Sequence, residues 1–153
     1  MSDFNDLYQE LILDHHKRPR NFGRLGETCT CHVDGRNPLC GDQMTLDVSV
    51  KNDRIEDIGF EGSGCAISTA SASLMTESVK GKTKAEAEAL FEIFHAMVTQ
   101  GKEPADPDAL GKLIVFSAVG DYPARVKCAT LPWHVLHAAL SGSGSSQEPV
   151  TTE

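Results

Sequence analysis

Three of the five cysteines stand where a thiolate could do chemistry. Cys40 sits in NPLCGDQM, a loop bounded by proline and glycine just before a run of alternating apolar residues, with Asp42 two positions on. A loop can turn both side chains toward one point. Cys65 follows Gly62, Ser63 and Gly64 at the expected start of a helix. There, backbone N–H groups and the positive end of the helix dipole favour thiolate over thiol. Cys128 lies in YPARVKCATLPW, near the start of another expected helix, and only folding can bring it to the other two. Three thiolates and one carboxylate suit a tetrahedral zinc ion, which takes sulfur and oxygen ligands and demands little beyond four-coordination. Such a set carries four negative charges against two positive ones. Nearby cations are therefore expected, and Arg125 and Lys127 beside Cys128 are the candidates for that outer role. Spacing by itself leaves another reading open. There is no CxxC pair, the intervals from 40 to 65 and from 65 to 128 match no zinc-finger template, and isolated cysteines often serve as small buried hydrophobes.

An odd number of cysteines argues against a disulfide framework, the more so in the reducing cytoplasm, where this chain is expected to reside. The N-terminal MSDFNDLYQELILDHHKRPR has no apolar core of a signal peptide, and no stretch approaches the roughly 20 apolar residues needed to cross a bilayer. No membrane association is expected. Fourteen basic residues against 22 acidic ones give a formal charge of -8, which disfavours contact with a phosphate backbone, so nucleic acid is not an expected partner.

These residues must be positioned by elements that the pattern of apolar side chains outlines. Leu7, Tyr8, Leu11 and Ile12 recur at helical spacing over Phe4 to Lys17, before Pro19 and Gly23. Met44, Leu46, Val48 and Val50 alternate, KNDR turns the chain, and Ile55, Ile58 and Phe60 form a second run. This reads as an antiparallel hairpin, preceded by a further strand near Thr28 to Val33. A helix is predicted from near Cys65 to Gly81, rich in small residues that allow close packing, and a second from Lys84 to about Gln100. Pro104 and Pro107 bound a linker, a short helix is predicted around Leu110 to Phe116, and a last one over ARVKCATLPWHVLHAAL, where Pro132 could kink the helix or reset its start. Strands early and helices late imply an α+β fold, a small antiparallel sheet of about three strands with helices packed on one face. The expected organisation is one domain over 1–140 and a flexible tail, SGSGSSQEPVTTE, over 141–153.

Other residues read more plainly. Cys29 and Cys31 would share one face of a strand as incidental thiols. His15 and His16 would cap or decorate the end of the first helix. His95, His134 and His137 would be packed or surface histidines, and Trp133 a core or contact residue.

The segments LYQELILDHHKRPRNFG, NPLCGDQMTLDV, FEGSGCAISTASASLMTE and YPARVKCATLPWHVL resemble, in order, those of the SufU branch of the IscU/NifU-like family of iron–sulfur cluster assembly proteins. The likeness runs from residue 4 to about 140. It implies an IscU/SufU-like fold and metal ligands at Cys40, Asp42, Cys65 and Cys128, with Cys40 as sulfur acceptor. Within the family, IscU scaffolds carry a histidine directly before the last cysteine, where this chain has Lys127. The chain also carries an extra segment of about twenty residues within 81–110 that is characteristic of the SufU branch. The resemblance therefore implies a zinc-dependent sulfurtransferase that takes persulfide sulfur from a SufS-type cysteine desulfurase and serves downstream cluster-assembly proteins. Such a protein is a sulfur-transfer partner rather than a stand-alone enzyme. The alternative is a scaffold on which a transient iron–sulfur cluster is assembled and transferred, using the same four residues.

Overall fold

The structure is a computed structural model that describes residues 2–37, 41–101, 103, 107–121, 123–141 and 150–151. Its first helix, α1 (Ser2–Lys17), leads through a 3-10 turn at Gly26–Thr28 into a meander of three antiparallel strands: β1 (Cys31–Asn37), β2 (Asp42–Lys51) and β3 (Arg54–Ser63). The β2–β3 connection is the two-residue turn Asn52-Asp53, with φ of 55° and 61°. Two left-handed residues give a turn whose twist matches that of the flanking strands, which is why KNDR folds back where the sequence predicts. A register shift at Ser49/Val50 bends the hairpin beyond the turn.

Side chains alternate across the sheet, so Met44, Leu46 and Val48 of β2, Val33 of β1 and Ile58 and Phe60 of β3 are buried together. The helices cover that face. α2 (Ala66–Val79) has ten buried residues, among them Ala70, Ala72 and three serines, and their small size lets it approach its neighbours closely. α3 (Lys84–Gln100) begins with a reciprocal Thr83–Glu86 capping box and ends at Gly101 in the left-handed conformation (φ 67°). The short α4 (Pro107–Leu110) continues as a 3-10 helix over Gly111–Asp121, where the sequence predicts one ordinary helix. α5 (Pro123–Leu140) runs through Pro132 without a new start. Trp133 stacks on Phe94 with ring centres 4.7 Å apart, and Phe116 meets the same ring edge-on, closing the core between α3, α5 and the 3-10 helix.

The antiparallel sheet with helices on one face is the expected architecture, with two further local differences, in β1 and at His15. β1 lies later than the predicted Thr28 to Val33, because its partners are the residues of β2 up to Asp42. His15 is wholly buried and its Nδ1 lies 2.7 Å from Ser73 Oγ, so it holds α1 against α2, whereas His16 is exposed as predicted. Of the segment 141–153, Ser141 and Val150–Thr151 are described, and the latter pair forms β4, parallel to Gly35 and Arg36 of β1. No helix among the described residues is long and apolar enough to cross a membrane.

Candidate metal centre

The first residue of β2 and the end of β3 stand side by side, with Gln43 opposite Ser63, so the chain leaving β3 passes directly by Asp42. Gly64 makes that passage possible: a Cβ there would lie 2.6 Å from Asp42 Oδ1. The next residue, Cys65, is the N-cap of α2, with extended backbone and its sulfur accepting the N–H of Ser68 at 3.4 Å. Asp42 Oδ1 accepts the backbone N–H of Cys65 at 2.9 Å, and Asp42 Oδ2 lies 3.8 Å from Cys65 Sγ. Cys128 enters from the opposite end of the sequence, in the second turn of α5, and is wholly buried. One ligand atom from each of Asp42, Cys65 and Cys128 lies within 4.8 Å of the other two.

The electrostatics suit a thiolate. A hydrogen bond from Cys128 draws the Cys65 thiol pKa down, and the backbone N–H groups of Ser68 and Ile67 add to it; together they outweigh burial and the neighbouring Asp42 charge, leaving it at about 6. Cys65 is the half-exposed member of the trio, while Asp42 and Cys128 are buried. Two sulfurs and one oxygen match the donor preference of zinc, and a tetrahedral zinc site spaces its donors about 3.5 to 3.8 Å apart. Donors already within 4.8 Å need little movement to reach that spacing. A fourth ligand would complete the set.

Of the residues singled out in the sequence, the fold brings Asp42, Cys65 and Cys128 together. Cys40 lies outside the described residues; it is bonded to Gly41, which adopts φ 72°, and stands two positions before Asp42. Lys127 is half-buried and Arg125 exposed on the first turns of α5, and neither takes part in the ion pairs among the described residues. Cys29 donates to the Cys31 carbonyl at 2.9 Å, a local bond. An open depression of about 500 Å³ on the other face of the sheet is lined by Arg24, Asp34, Arg36, Gln43 and Glu61 and contains none of the trio.

Sequence reasoning did not anticipate Gly64 as the residue that admits Asp42, although the GSGC string carries the signal. Nor did it anticipate Asp47, buried on that other face, which accepts from Arg24 Nε at 2.7 Å and from the Leu25 N–H at 3.1 Å and lies 2.6 Å from His32 Nδ1. An aspartate inside an alternating strand reads as a solvated residue until the 21–25 segment is seen to cover it.

Comparison with known proteins bears on the same residues. The sequence model of the NifU-like N terminal domain matches residues 7–129, a span that contains all four sequence-predicted ligands. The chain is 44% identical over 147 residues to the iron-sulfur cluster assembly scaffold protein IscU of Streptococcus pyogenes serotype M1, covering 96% of this chain and 91% of that one. It is 43% identical over 140 residues to the zinc-dependent sulfurtransferase SufU of Bacillus subtilis (strain 168), covering 92% and 93%. The crystal structure of the SufU from Fervidobacterium islandicum AW-1 superposes with a TM-score of 0.82 at 42% identity, covering 88% of this chain and 96% of that one. With sequence and fold in agreement over about nine tenths of its length, the chain belongs to the NifU-like N-terminal domain family.

Proposed function

We propose that this protein is a zinc-dependent sulfur acceptor of iron–sulfur cluster assembly, in which Cys40, Asp42, Cys65 and Cys128 hold the metal and Cys40 takes sulfur from a SufS-type cysteine desulfurase. The observation that supports it is the convergence of Asp42, Cys65 and Cys128, from three distant parts of the chain, on one small region. A relative 43% identical bears the name zinc-dependent sulfurtransferase. The workplace of such a protein is the cytoplasm.

Bound zinc would supply Lewis acidity that keeps its cysteine ligands deprotonated at neutral pH. The chain's own groups do the rest. Asp42, anchored through Oδ1 to the Cys65 amide, offers Oδ2 as the one oxygen donor, and the N-terminus of α2 stabilises negative charge on Cys65. In the transfer step the Cys40 thiolate attacks the outer sulfur of the desulfurase persulfide. The S–S bond of that persulfide breaks, the desulfurase cysteine leaves as a thiolate, and Cys40 carries the new persulfide; no external oxidant or reductant is required. Arg125 and Lys127, next to Cys128 in sequence, would offset the surplus negative charge of the ligand set.

The test is turnover of a SufS-type desulfurase with and without this protein carrying one equivalent of zinc. A large increase that vanishes in Cys40→Ala is the expected result, and no increase would overturn the reading. A second reading, a scaffold that assembles and passes on an iron–sulfur cluster, is favoured by the name of the relative 44% identical. Anaerobic reconstitution with iron and sulfide decides it: a stable cluster passed intact to an apo-acceptor would support the scaffold.

A further inference from the structure

α2 carries four buried hydroxyls, Ser68, Ser71, Ser73 and Thr76. Two of them face the N-terminal part of the chain. Ser73 Oγ accepts the N–H of Arg20 at 2.8 Å and lies 2.7 Å from His15 Nδ1, and Thr76 accepts from Asn21 Nδ2 at 3.1 Å. Thr76 also returns its own hydroxyl to the Ser73 carbonyl one turn back, the usual habit of a mid-helix hydroxyl. Ser71 does otherwise. Its hydroxyl donates across to α5, to the carbonyl of Ala129, at 2.6 Å in a wholly buried contact.

The two ends of that bond are tied to the two sulfurs. Ser71 belongs to the helix that Cys65 caps, and Ala129 follows Cys128. Pro132 has no N–H to return to the Cys128 carbonyl, so α5 lacks one of its own ties one residue before Ala129. Next to that gap, a side chain of α2 ties α5 to its neighbour. We propose that Ser71 is a positioning residue for the metal centre: by gripping the Ala129 carbonyl, it fixes how far α5 slides along α2 and hence the spacing of Cys65 and Cys128. This rests on the metal-binding reading above and adds to it a residue that touches neither metal nor substrate.

The probe is cobalt(II), titrated into metal-free full-length protein and followed by thiolate-to-cobalt charge-transfer and ligand-field absorption, which report sulfur ligation and geometry without any turnover. Ser71→Ala is expected to bind cobalt about 10- to 100-fold more weakly, the usual effect of losing an outer-shell partner, with shifted ligand-field bands. Ser71→Thr keeps the donor and is expected to retain the wild-type spectrum and affinity. Ser73→Ala removes an equally buried hydroxyl of the same helix that faces α1 and is expected to behave as wild type. Wild-type binding in Ser71→Ala, an equal loss in Ser73→Ala, or a loss in Ser71→Thr as large as tenfold would each overturn the role of Ser71. Should Ser71→Ala not fold, the Thr and Ser73 variants still decide by the same criteria. Failure of the metal reading is separate, because wild-type protein would then show no charge-transfer band, or one whose position and intensity Cys65→Ala leaves unchanged.

Discussion

Asp42 grips Cys65 twice, with Oδ1 2.9 Å from the backbone nitrogen and Oδ2 3.8 Å from the sulfur. The carboxylate thus divides its labour. One oxygen registers the start of β2 against the start of α2, and the other lies by the Cys65 sulfur, where it can serve an ion as a single-oxygen ligand. Strand, helix cap and donor set are one construction, so disturbing Asp42 disturbs the geometry of Cys65 as well as the charge beside it.

Gly64→Ala should separate those effects from loss of the carboxylate. The added Cβ would lie 2.6 Å from Asp42 Oδ1, a distance real contacts do not reach, and would push the carboxylate off the Cys65 amide. Zinc or cobalt affinity should fall by about tenfold or more, as for other disturbed outer contacts of metal ligands. Competition with a chromophoric chelator measures it; an affinity equal to wild type would show that the bond between Asp42 and Cys65 does not shape the site.

In metal-free protein, Cys65 should be alkylated by iodoacetamide with a midpoint near pH 6, because the hydrogen bond from Cys128 leads in pulling its pKa down to about 6. Cys128→Ala removes that donor, and the midpoint should climb toward the ordinary cysteine range. Mass-spectrometric quantification of the Cys65 peptide across pH 5 to 9 gives the curve; an unmoved midpoint in Cys128→Ala would mean that the helix N-terminus alone sets the acidity.

How much of this was legible in the sequence depends on how local the cause is. The hairpin was legible because KNDR names its own turn, and the α2 start because Gly62, Ser63 and Gly64 break the strand immediately before a run of small residues. Cys65 as a cap follows from the same local logic. The 3-10 winding of Gly111–Asp121 was not legible, since Leu113, Val115, Phe116 and Val119 supply apolar side chains at spacings that serve either helix type. His15 defied its helix-end reading because its surroundings come from α2, 58 residues away. Ser71 looked like one more small residue in a small-residue helix until its partner on α5 was in view.

Asp47 should behave as the pin that holds the 21–25 segment onto the sheet. Burial pushes its carboxyl up, but His32, Arg24 and the Leu25 N–H outweigh that and leave its pKa below the ordinary value. A folded pKa below the unfolded one contributes stability that is present above about pH 4 and is lost as pH falls through the folded value. Asp47→Ala deletes that contribution together with the bonds to Arg24 and the Leu25 N–H, at a cost of about 2 kcal/mol. Urea denaturation at pH 7 should show the loss, and the variant should lose less stability than wild type between pH 5 and pH 3; parallel acid curves would contradict this account.

The seam between α3 and α5 makes a second pH prediction, with the histidines as its source. Phe91 has three imidazole neighbours: His137 stacks on it with centres 5.3 Å apart, while His95 and His134 both lie at 5.6 Å and are 5.5 Å from each other. Glu88 is the carboxylate paired there, 2.7 Å from His137 Nδ1. Burial, with the His95 and His137 charges behind it, holds His134 below the ordinary histidine value, and burial followed by Arg20 does the same to His15. Both groups therefore take up protons more readily unfolded than folded, so the stability they contribute is intact above the unfolded pKa of about 6.5 and drains as pH falls below it, by up to about 1.4 kcal/mol per pH unit for each histidine. Chemical denaturation of metal-free protein at pH 7.5 and 5.5 should show the drop. His134→Gln should shrink it, and the difference between the two proteins isolates the seam from the thiols, whose protonation is common to both. An equal drop in wild type and His134→Gln would mean that His134 packs against Phe91 as comfortably charged as neutral.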